Sequence, residues 1–339
     1  MAMTTDPAPA PTPKFSVIIV NYNAADYLQQ AVDSLAQQTV QDFELIVIDN
    51  ASHDGSADML DLSAMPRAQL VKNSRNLGFA EANNQAARLA NGQWLALLNP
   101  DARAAPDWLE ALNRAMHKYP DCRTFACAQF DLSDRNVLDG AGDAYLLFGF
   151  PWRGGFGRAA RELPGPGFCF SACGASAVYD AALFRAAGGY DERFFCYCED
   201  VDLGFRLQLL GEDCRFVPDA VIDHAGSAIS GRASPFSTYH GTRNRFWTYV
   251  KNMPLGLLLL TLPGHVMLTV YLLARSSFTP RFAPMLAGLH DGLVGSVRMR
   301  TSPEWRVVRR RAVISHVVRS MAWNPWRMSR RGVHVRPSP

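Results

Sequence analysis

The sequence predicts an α/β protein built on a mainly parallel, doubly wound sheet. Two observations support this prediction: short apolar segments alternate with helical patterns over the first 100 residues, and polar side chains follow each apolar segment. A repeated strand–turn–helix order is typical of parallel sheets covered by helices on both faces. The chain has 339 residues, of which 48% are hydrophobic and 19% charged. This composition indicates a globular protein with a large core.

The first three strands are predicted at Phe15 to Val20, Phe43 to Ile48 and Ala68 to Val71. The first is a nearly continuous β-branched segment, which is typical of a parallel strand that is covered on both faces. Apolar residues at helical spacing predict the intervening helices. These helices are expected over Tyr27 to Gln37, from about Ser56, and over Phe79 to Ala90.

The fourth strand, Trp94 to Leu98, leads directly into Asn99-Pro100-Asp101. Pro100 cannot donate to a strand ladder, so we expect the strand to end there and to leave Asp101 at its C-terminal edge. Ligands bind at that edge in open α/β sheets, and a carboxylate there is well placed to hold a divalent cation against a phosphate. Asp101 can equally be a turn or capping residue, because Pro106-Asp107-Trp108 opens a helix soon afterwards.

Polar residues follow all four strands and are expected to meet at one edge of the sheet. They are Asn21, Asn23, Asp49, Asn50, Ser52, Arg75, Asn76 and Asp101. So many polar groups at one edge predict a ligand crevice rather than solvated loops. No Gly-x-Gly-x-x-Gly follows the first strand and no P-loop sequence occurs, which argues against a dinucleotide oxidoreductase and a P-loop NTPase. Phosphate charge must then be neutralised by a cation on Asp101 and by nearby basic side chains such as Lys72 and Arg75. Asp49 can accept hydrogen bonds from a base or ribose.

The middle of the chain is less regular. Phe125 to Phe130 predicts a further strand, whereas residues 134–166 are rich in Gly and Pro and predict a long mobile loop that closes over a substrate. Phe168 to Val178 is predicted as one strand, in which Gly174 lets a ligand or another backbone approach closely.

A second acidic cluster, Glu199-Asp200-Val201-Asp202, opens a helix that ends at Gly211. Carboxylates are common in the first turn of a helix because the helix dipole favours them. The aromatic residues just before this cluster would partly desolvate it, however, and a carboxylate in such a pocket can act as a general base. The following short strand ends in His224. A lone histidine is usually structural, but its place near two acidic clusters makes His224 a candidate metal ligand.

The seven cysteines include no Cys-x-x-Cys pair, so we expect reduced, mostly buried thiols of a cytosolic protein. The spacing of a zinc site is missing. Residues 1–13 form a Pro/Ala-rich leader without the apolar segment of a signal peptide, and we expect this leader to be disordered.

The C-terminal part is apolar and basic. Pro254 to Ala274 contains no acidic residue and, at about 1.5 Å per residue, is long enough to span a bilayer. Pro263-Gly264 and His265 at its middle favour two shorter helices that lie in the membrane interface. A single membrane-spanning helix and a soluble helical appendage are the alternatives. A second apolar stretch, Phe282 to Val297, is expected to pack beside these helices.

From Arg275 to the end, 13 arginines stand against only two acidic residues. Together with three tryptophans in this part, they predict an anchor for anionic lipid headgroups. The neighbouring apolar segments favour a membrane surface over a nucleic acid as the partner.

Taken together, these motifs resemble inverting family 2 glycosyltransferases of the Rossmann-like GT-A fold. The motifs that carry the resemblance are Val20-Asn21-Tyr22-Asn23, Asp49-Asn50-Ala51-Ser52, Asn76-Leu77-Gly78-Phe79-Ala80, Leu98-Asn99-Pro100-Asp101, Gly188-Gly189-Tyr190-Asp191-Glu192, Glu199-Asp200-Val201-Asp202 and His224. The similarity is strongest to the bacterial branch that includes rhamnosyltransferases of cell-wall and O-antigen assembly. It implies a GT-A domain over residues 14–252 and a C-terminal helical, membrane-associating appendage over 253–339.

The resemblance also implies residue roles. Asp101 is the last Asp of the family's Asp-x-Asp motif and would bind Mg²⁺ or Mn²⁺ on the donor diphosphate. Asn99 replaces the first Asp, which leaves the metal one carboxylate short and makes His224 a further ligand. Asp200 would be the catalytic base. The residues expected to bind the nucleotide sugar are Asn21, Asn23, Asp49, Asn50, Ser52, Arg75, Asn76, Asn99, Gly174, Glu199, His240 and Arg243.

The activity implied by the resemblance is transfer of a sugar, rhamnose from dTDP-rhamnose, to a polyprenyl-diphosphate-linked or glycan acceptor at the cytoplasmic face of the membrane. Inversion requires a base on the acceptor hydroxyl and a cation on the leaving diphosphate. The alternatives are a transferase of another UDP- or GDP-sugar and a non-catalytic nucleotide-sugar-binding assembly protein. The presence of both Asp101 and Asp200 argues against the non-catalytic alternative.

Overall fold

The computed structural model describes residues 12–226, 234–302, 305 and 312–337. The strands are β1 Phe15–Asn21, β2 Phe43–Asp49, β3 Ala68–Lys72, β4 Trp94–Leu97, β5 Ala102–Ala104, β6 Thr124–Asp131, β7 Leu138–Ala141, β8 Asp143–Leu146, β9 Phe150–Arg153, β10 Gly167–Cys169, β11 Ala177–Asp180 and β12 Cys214–His224. The helices are α1 Asp26–Ala36, α2 Gly78–Leu89, α3 Trp108–Lys118, α4 Ala181–Ala186, α5 Glu199–Leu209, α6 Pro235–Asn252, α7 Leu255–Ser276, α8 Phe282–Thr301, α9 Ile314–Ser320 and α10 Pro325–Ser329. Most of the predicted Pro/Ala-rich leader, residues 1–11, lies outside the described residues.

The central sheet runs in the order β10-β12-β6-β11-β4-β1-β2-β3, with β5 paired to β12 and β7 to β6. The strands β3, β2, β1 and β4 are parallel, as predicted. β11 is antiparallel to both β4 and β6, so the sheet becomes mixed beyond β4. The order 3-2-1-4 places the carboxyl ends of four strands at one edge, where a doubly wound sheet binds its ligands.

Both faces of β1 are buried, as its β-branched sequence predicts. Val17 and Ile19 pack with apolar residues of α1 and α3, whereas Ile18 and Val20 pack with those of α2 and α4. The alternation follows from the two-residue period of a strand. The two clusters cover the sheet from opposite sides and fix the edge that carries the site.

The helix predicted from about Ser56 does not form, and residues 56–58 are a turn instead. The carboxylate of Asp54 accepts hydrogen bonds from the backbone N–H and the hydroxyl of Ser56, at 3.1 and 2.6 Å. The Ser56 hydroxyl also accepts a hydrogen bond from the Asn21 side chain at 2.9 Å. These local side-chain bonds compete with helix formation.

The prediction of a long mobile loop over residues 134–166 is wrong. The segment contains β7, the β8–β9 hairpin and a short 3₁₀ turn, and β7 and β8 are fully buried. Gly142, Gly149, Gly155 and Gly157 have positive φ angles, so these glycines serve tight turns rather than flexibility. Phe168 to Val178 is also not one strand: β10 pairs with β12, whereas β11 pairs with β4 and β6.

The stretch predicted as two short helices is one helix, α7, with Pro263 inside it. Gly264 and His265 do not interrupt the helix, and both are packed against other parts of the protein. A Cβ atom on Gly264 would lie 2.5 Å from the ring of Phe148, which belongs to the β8–β9 turn. The ring of His265 stacks on Tyr249 of α6 with centroids 4.1 Å apart. Among the described residues, α7 is the helix whose length and apolar composition would suffice to cross a bilayer.

Residues after 252 contribute to the protein core. Met253, Val317 and Met321 are buried in one apolar cluster with side chains of β8 and α5. A set of buried charges strengthens this junction: the Lys251 ammonium donates to Asp191 and Asp202, at 2.7 Å each. Arg206 donates to the same Asp202 carboxylate at 3.0 Å.

We expect Lys251→Ala to lower the free energy of unfolding by about 3–5 kcal/mol, because it leaves two buried carboxylates short of a cation. The measurement is chemical denaturation at pH 7, with Lys251→Met to separate loss of charge from loss of volume. Lys72→Ala is the control. Its exposed pair with Asp58 should contribute less than about 0.5 kcal/mol. Equal stability of the Lys251 and Lys72 variants would contradict this account.

Candidate active site

A cavity of about 570 Å³ opens at the carboxyl edge of β1, β2 and β4. Its wall is completed by the turn before β11, the start of α5 and the end of β12. The predicted residues that line it are Asn23, Asn50, Asn76, Asn99, Asp101, Gly174, Glu199, Asp200 and His224. The sequence therefore identified most of the polar wall of this cavity.

Three predicted ligand contacts, Asn21, Asp49 and Ser52, lie behind the cavity wall instead. The Asn21 amide donates to the carboxylate of Asp49 at 2.8 Å and to the hydroxyl of Ser52 at 3.1 Å. The Ser52 hydroxyl in turn accepts the backbone N–H of Asn23 at 3.0 Å. These buried bonds hold the turns after β1 and β2, so the three residues present Asn23 and Asn50 to the cavity and do not line it themselves.

Arg75, His240 and Arg243 also fail to line the cavity. Arg75 is exposed in the loop after β3. His240 stacks behind Phe195 and Phe236, which do line it. Burial and the neighbouring Arg243 lower the pKa of His240 to about 4, so His240 is neutral and supplies no charge for a diphosphate.

Arg243 has a structural role on α6. Its guanidinium donates to the carbonyl of Phe194 at 3.0 Å and lies 4.3 Å from the ring centroid of Trp247. Arg243 therefore holds the segment that precedes α5, and its predicted role beside a diphosphate stays a prediction.

Asp101 and His224 meet at one end of the cavity. The Nε2 atom of His224 lies 3.2 Å from Oδ1 of Asp101 and 3.3 Å from the amide nitrogen of Asn99. The Nδ1 atom of His224 lies 2.7 Å from Oδ2 of Asp139, a residue of β7. Burial opposes the charge on His224, but hydrogen bonds to Asp101 and Asp139 raise its pKa to about 9.

These residues fit a divalent cation. Carboxylate oxygens suit Mg²⁺ and Mn²⁺, and imidazole nitrogen is an accepted ligand of transition metals. His224 also has the supporting hydrogen bond that metal-binding histidines usually make, here from Nδ1 to Asp139. A proton on His224 offsets the negative charge of Asp101 and Asp139. A bound cation would offset the same charge.

Asp200 also lines the cavity, in the first turn of α5. Its carboxylate accepts the backbone N–H of Gly174 at 2.8 Å and that of Val201 at 2.7 Å. Burial raises the pKa of Asp200, and these two N–H groups oppose the increase. The backbone of Gly174 thus positions the carboxylate. A Cβ atom at this position would lie 3.2 Å from the ring of Phe79 and 3.4 Å from Oδ2 of Asp200, so the close packing favours glycine.

A second carboxyl group lies beneath Asp200. The ligand atoms of Asp143, Cys173 and Asp200 are within 4.8 Å of one another. Burial and the charge of Asp200 raise the pKa of Asp143 well above its ordinary range. Asp143 lacks the backbone N–H donors that oppose the effect of burial on the pKa of Asp200, so burial raises the pKa of Asp143 more strongly.

The aromatic segment before α5 has a strained backbone. Phe195, Tyr197 and Cys198 all have positive φ angles, at 65°, 72° and 64°. Residues other than glycine rarely adopt such backbone angles. The amide of Asn244 on α6 donates to three carbonyls of this segment, those of Phe194, Cys196 and Tyr197, at 2.8–2.9 Å. Asn244 therefore holds the wall of the cavity next to Asp200.

Sequence reasoning missed Asp139, Asp143, Arg153 and Asn244. The first three fall in the segment that was predicted as a mobile loop. The alternation of apolar residues with two aspartates and one arginine over 138–153 was the available signal for strands with inward-facing charges. Nothing in the local sequence of α6 distinguishes Asn244.

Comparisons with known proteins show that the chain is similar to glycosyltransferases. Residues 16–180 match Glycosyl transferase family 2. The chain is similar to N-acetylglucosaminyl-diphospho-decaprenol L-rhamnosyltransferase of Mycobacterium tuberculosis, with 27% identity over 250 residues that cover 66% of this chain and 80% of that protein.

Two solved structures share the fold. S. aureus TarS 1–349 in complex with UDP-GlcNAc has a TM-score of 0.54 at 16% identity, covering 95% of this chain and 93% of that one. The mannosyltransferase PcManGT from Pyrobaculum calidifontis, in complex with GDP-Man and Mn²⁺, has a TM-score of 0.52 at 17% identity, covering 89% and 91%. The predicted α/β fold of GT-A type is confirmed.

We expect the metal-free protein to lose stability as the pH rises through 9. The pKa of His224 is about 9 in the folded chain against an ordinary value of 6.5. Its stabilising contribution, on the order of 3 kcal/mol, is therefore complete below pH 6.5 and disappears above pH 9. The measurement is the difference in unfolding free energy between wild type and His224→Gln in EDTA from pH 6 to 9.5. A difference that does not shrink with pH would contradict the assignment.

Proposed function

We propose that this chain, which belongs to glycosyl transferase family 2 through its domain at residues 16–180, transfers a sugar with inversion to a lipid-linked acceptor. The observation that carries the proposal is the arrangement of the cavity. A cation site, Asp101 and His224, and a buried carboxylate, Asp200, line the same cavity at the carboxyl edge of the sheet. Inverting transfer needs these two groups on opposite sides of the reacting carbon.

The proposed donor is dTDP-rhamnose and the proposed acceptor is linked to a polyprenyl diphosphate. Support comes from the mycobacterial relative, whose name gives L-rhamnose as the sugar and N-acetylglucosaminyl-diphospho-decaprenol as the acceptor. A UDP- or GDP-sugar is the second candidate donor, since the two structural neighbours hold UDP-GlcNAc and GDP-Man. A non-catalytic binding protein would not need both Asp101 and Asp200 in the cavity.

Asp200 would take the proton from the acceptor hydroxyl. The backbone N–H groups of Gly174 and Val201 fix the orientation of its carboxylate, and burial makes it a stronger base than an exposed aspartate. Phe195 and Tyr197 reduce the access of water to this wall. Asn23, Asn50 and Asn76 also line the cavity. The amide of Asn50 is held by Gly78 and Asn73, whereas the side-chain NH₂ groups of Asn23 and Asn76 can donate to a nucleoside.

We propose that Asp101 and His224 hold Mg²⁺ or Mn²⁺, with Asn99 beside them. The Mn²⁺ in PcManGT supports a divalent ion. The ion, when bound, supplies positive charge to the leaving diphosphate. The residues themselves contribute a rigid site, because Asp139 fixes the ring of His224 from behind.

The decisive variant for the reaction is Asp200→Asn. We expect it to lower sugar transfer by about 10³-fold, because the base is lost, and to leave the nucleotide dissociation constant within about threefold of wild type. Transfer is measured with dTDP-rhamnose, UDP-sugars and GDP-sugars in turn, on a short-chain polyprenyl-diphosphate-linked GlcNAc.

Asp58→Asn is the control, since Asp58 is exposed and paired with Lys72. An active Asp200→Asn variant would remove the base assignment. Transfer only from a UDP- or GDP-sugar would keep the enzyme class and change the donor. Binding of nucleotide without transfer from any donor would favour the non-catalytic alternative.

We propose further that the chain associates with the cytoplasmic face of a membrane as a peripheral or monotopic protein, through residues 253–339. The exposed side of α7 is apolar: Leu259, Leu260, Met267 and Val270 are all 58% exposed or more. Its other side buries Thr261, His265 and Thr269 against the rest of the protein. A helix that is apolar towards solvent and polar towards the protein fits a lipid environment better than water.

The double variant Leu260→Glu/Met267→Glu tests this surface without disturbing the core. We expect it to weaken binding to anionic phosphatidylglycerol vesicles by at least about tenfold, because two large apolar side chains no longer enter the lipid. Co-sedimentation is the measurement. Met59→Glu, also strongly exposed at 70% but far along the chain from α7, is the control. Equal vesicle binding of the double variant and wild type would place the membrane contact elsewhere.

A further inference from the structure

Arg153 lines the cavity at the end of β9. Among the described residues it is the only lysine or arginine that does so. The basic residues that the sequence offered for phosphate binding, Lys72, Arg75 and Arg243, all lie outside the lining. Of the residues that the structure describes, Arg153 therefore supplies the one guanidinium that a phosphate in this cavity would meet.

The position of Arg153 is built into the fold. The backbone of Arg153 lies opposite that of Asp143 in the β8–β9 hairpin. The Nη1 atom of Arg153 donates to the buried carboxylate of Asp139. A Cβ atom on Gly140 would lie 2.8 Å from Cδ of Arg153, so the missing side chain of Gly140 makes room for this arginine. Its side chain is 29% exposed, which leaves part of the guanidinium accessible from the cavity.

Arg153 continues a chain of alternating charges that begins at the cation site. Asp101 contacts Nε2 of His224, Nδ1 of His224 contacts Asp139, and the same oxygen of Asp139 accepts from Arg153. The Asp139 carboxylate thus holds His224 and Arg153 together. At the far end, Asp143 and Asp200 lie close enough to contribute to the high pKa of Arg153, against the effect of burial.

The geometry points to Arg153 as the residue that binds a diphosphate oxyanion in this cavity, an inference that rests on the proposed transferase function. A guanidinium carries five N–H donors in a planar fork that matches phosphate oxygens. Within the described part of the chain, only Nη1 of the Arg153 guanidinium has a hydrogen-bond partner, which is Asp139. The remaining donors are available to a ligand.

The charge balance supports the same conclusion. Asp101 and Asp200 line the cavity, and Asp139 lies directly behind it. These carboxylates would repel a diphosphate unless cations stand between them. Arg153 supplies a fixed positive charge between the cation site and the base, where both the donor and a lipid-linked acceptor carry a diphosphate.

The experiment compares ligands with and without the diphosphate. Isothermal titration in Mn²⁺ measures UDP, dTDP and GDP against their nucleosides, and geranyl diphosphate as a probe for an acceptor-type diphosphate. The variants are Arg153→Gln and Arg153→Lys. Arg123→Gln is the matched control, because Arg123 also pairs with a carboxylate, Glu212, but does not line the cavity.

We expect Arg153→Gln to weaken binding of the preferred nucleoside diphosphate by about tenfold or more, and that of its nucleoside by less than about twofold. Arg153→Lys keeps a cation beside Asp139 and loses the fork, so an intermediate loss is expected. This variant also keeps the test informative if Arg153→Gln does not fold. A tenfold loss for geranyl diphosphate alone would assign the oxyanion to the acceptor instead of the donor.

The inference is overturned if wild type binds diphosphates and both Arg153 variants bind them equally well. It is also overturned if nucleoside binding falls as much as diphosphate binding, because the effect would then be structural. A wild-type protein that binds no nucleoside diphosphate and no geranyl diphosphate would instead contradict the proposed function together with this inference.

Discussion

The structure around the site depends on the buried ammonium of Lys251. It lies between Asp191 and Asp202, which belong to the segment before α5 and to its first turn. Arg193 and Arg206 each pair with one of these buried carboxylates, and Lys251 contacts both. Removing one partner from such a buried cluster is strongly destabilising. Lys251 thereby fixes α6 against the start of α5, where Asp200 is placed. The position of Asp200 therefore depends on an ion cluster whose members do not line the cavity.

The same helix α6 also controls the strained wall of the cavity. Positive φ angles at Phe195, Tyr197 and Cys198 cost free energy and persist only where surrounding contacts determine them. Asn244 provides these contacts through three carbonyls, and Arg243 adds a fourth bond at Phe194. Because Gly78 leaves no room for a Cβ atom against Phe195, α2 closes on this segment from the other side. Strain and close packing thus occur together beside Asp200.

The parallel half of the sheet and most of the polar wall were predictable because both follow from local patterns. A run of β-branched residues predicts β1, and residues such as Asn23 and Asp101 follow their strands directly in the chain. Asp139, Asp143 and Arg153 were not predictable in this way. Their meeting with His224 and Asp200 depends on the pairing of β7 with β6 and on the β8–β9 hairpin, which are non-local. Likewise, Asn21 and Asp49 follow their strands just as the cavity-lining Asn23 and Asn50 do. Only the packed structure shows that Asn21 and Asp49 lie behind the cavity wall.

α6 contacts both α7, which carries the exposed apolar surface, and the segment that lines the cavity. The exposed face of α7 has its opposite side on α6, where His265 stacks on Tyr249 with the rings nearly parallel. Five residues before Tyr249 on the same helix, Asn244 holds the segment that lines the cavity. A rigid helix transmits position along its length because its side chains are interlocked with neighbours at both ends. α7 therefore packs on the same helix that holds the cavity wall beside Asp200.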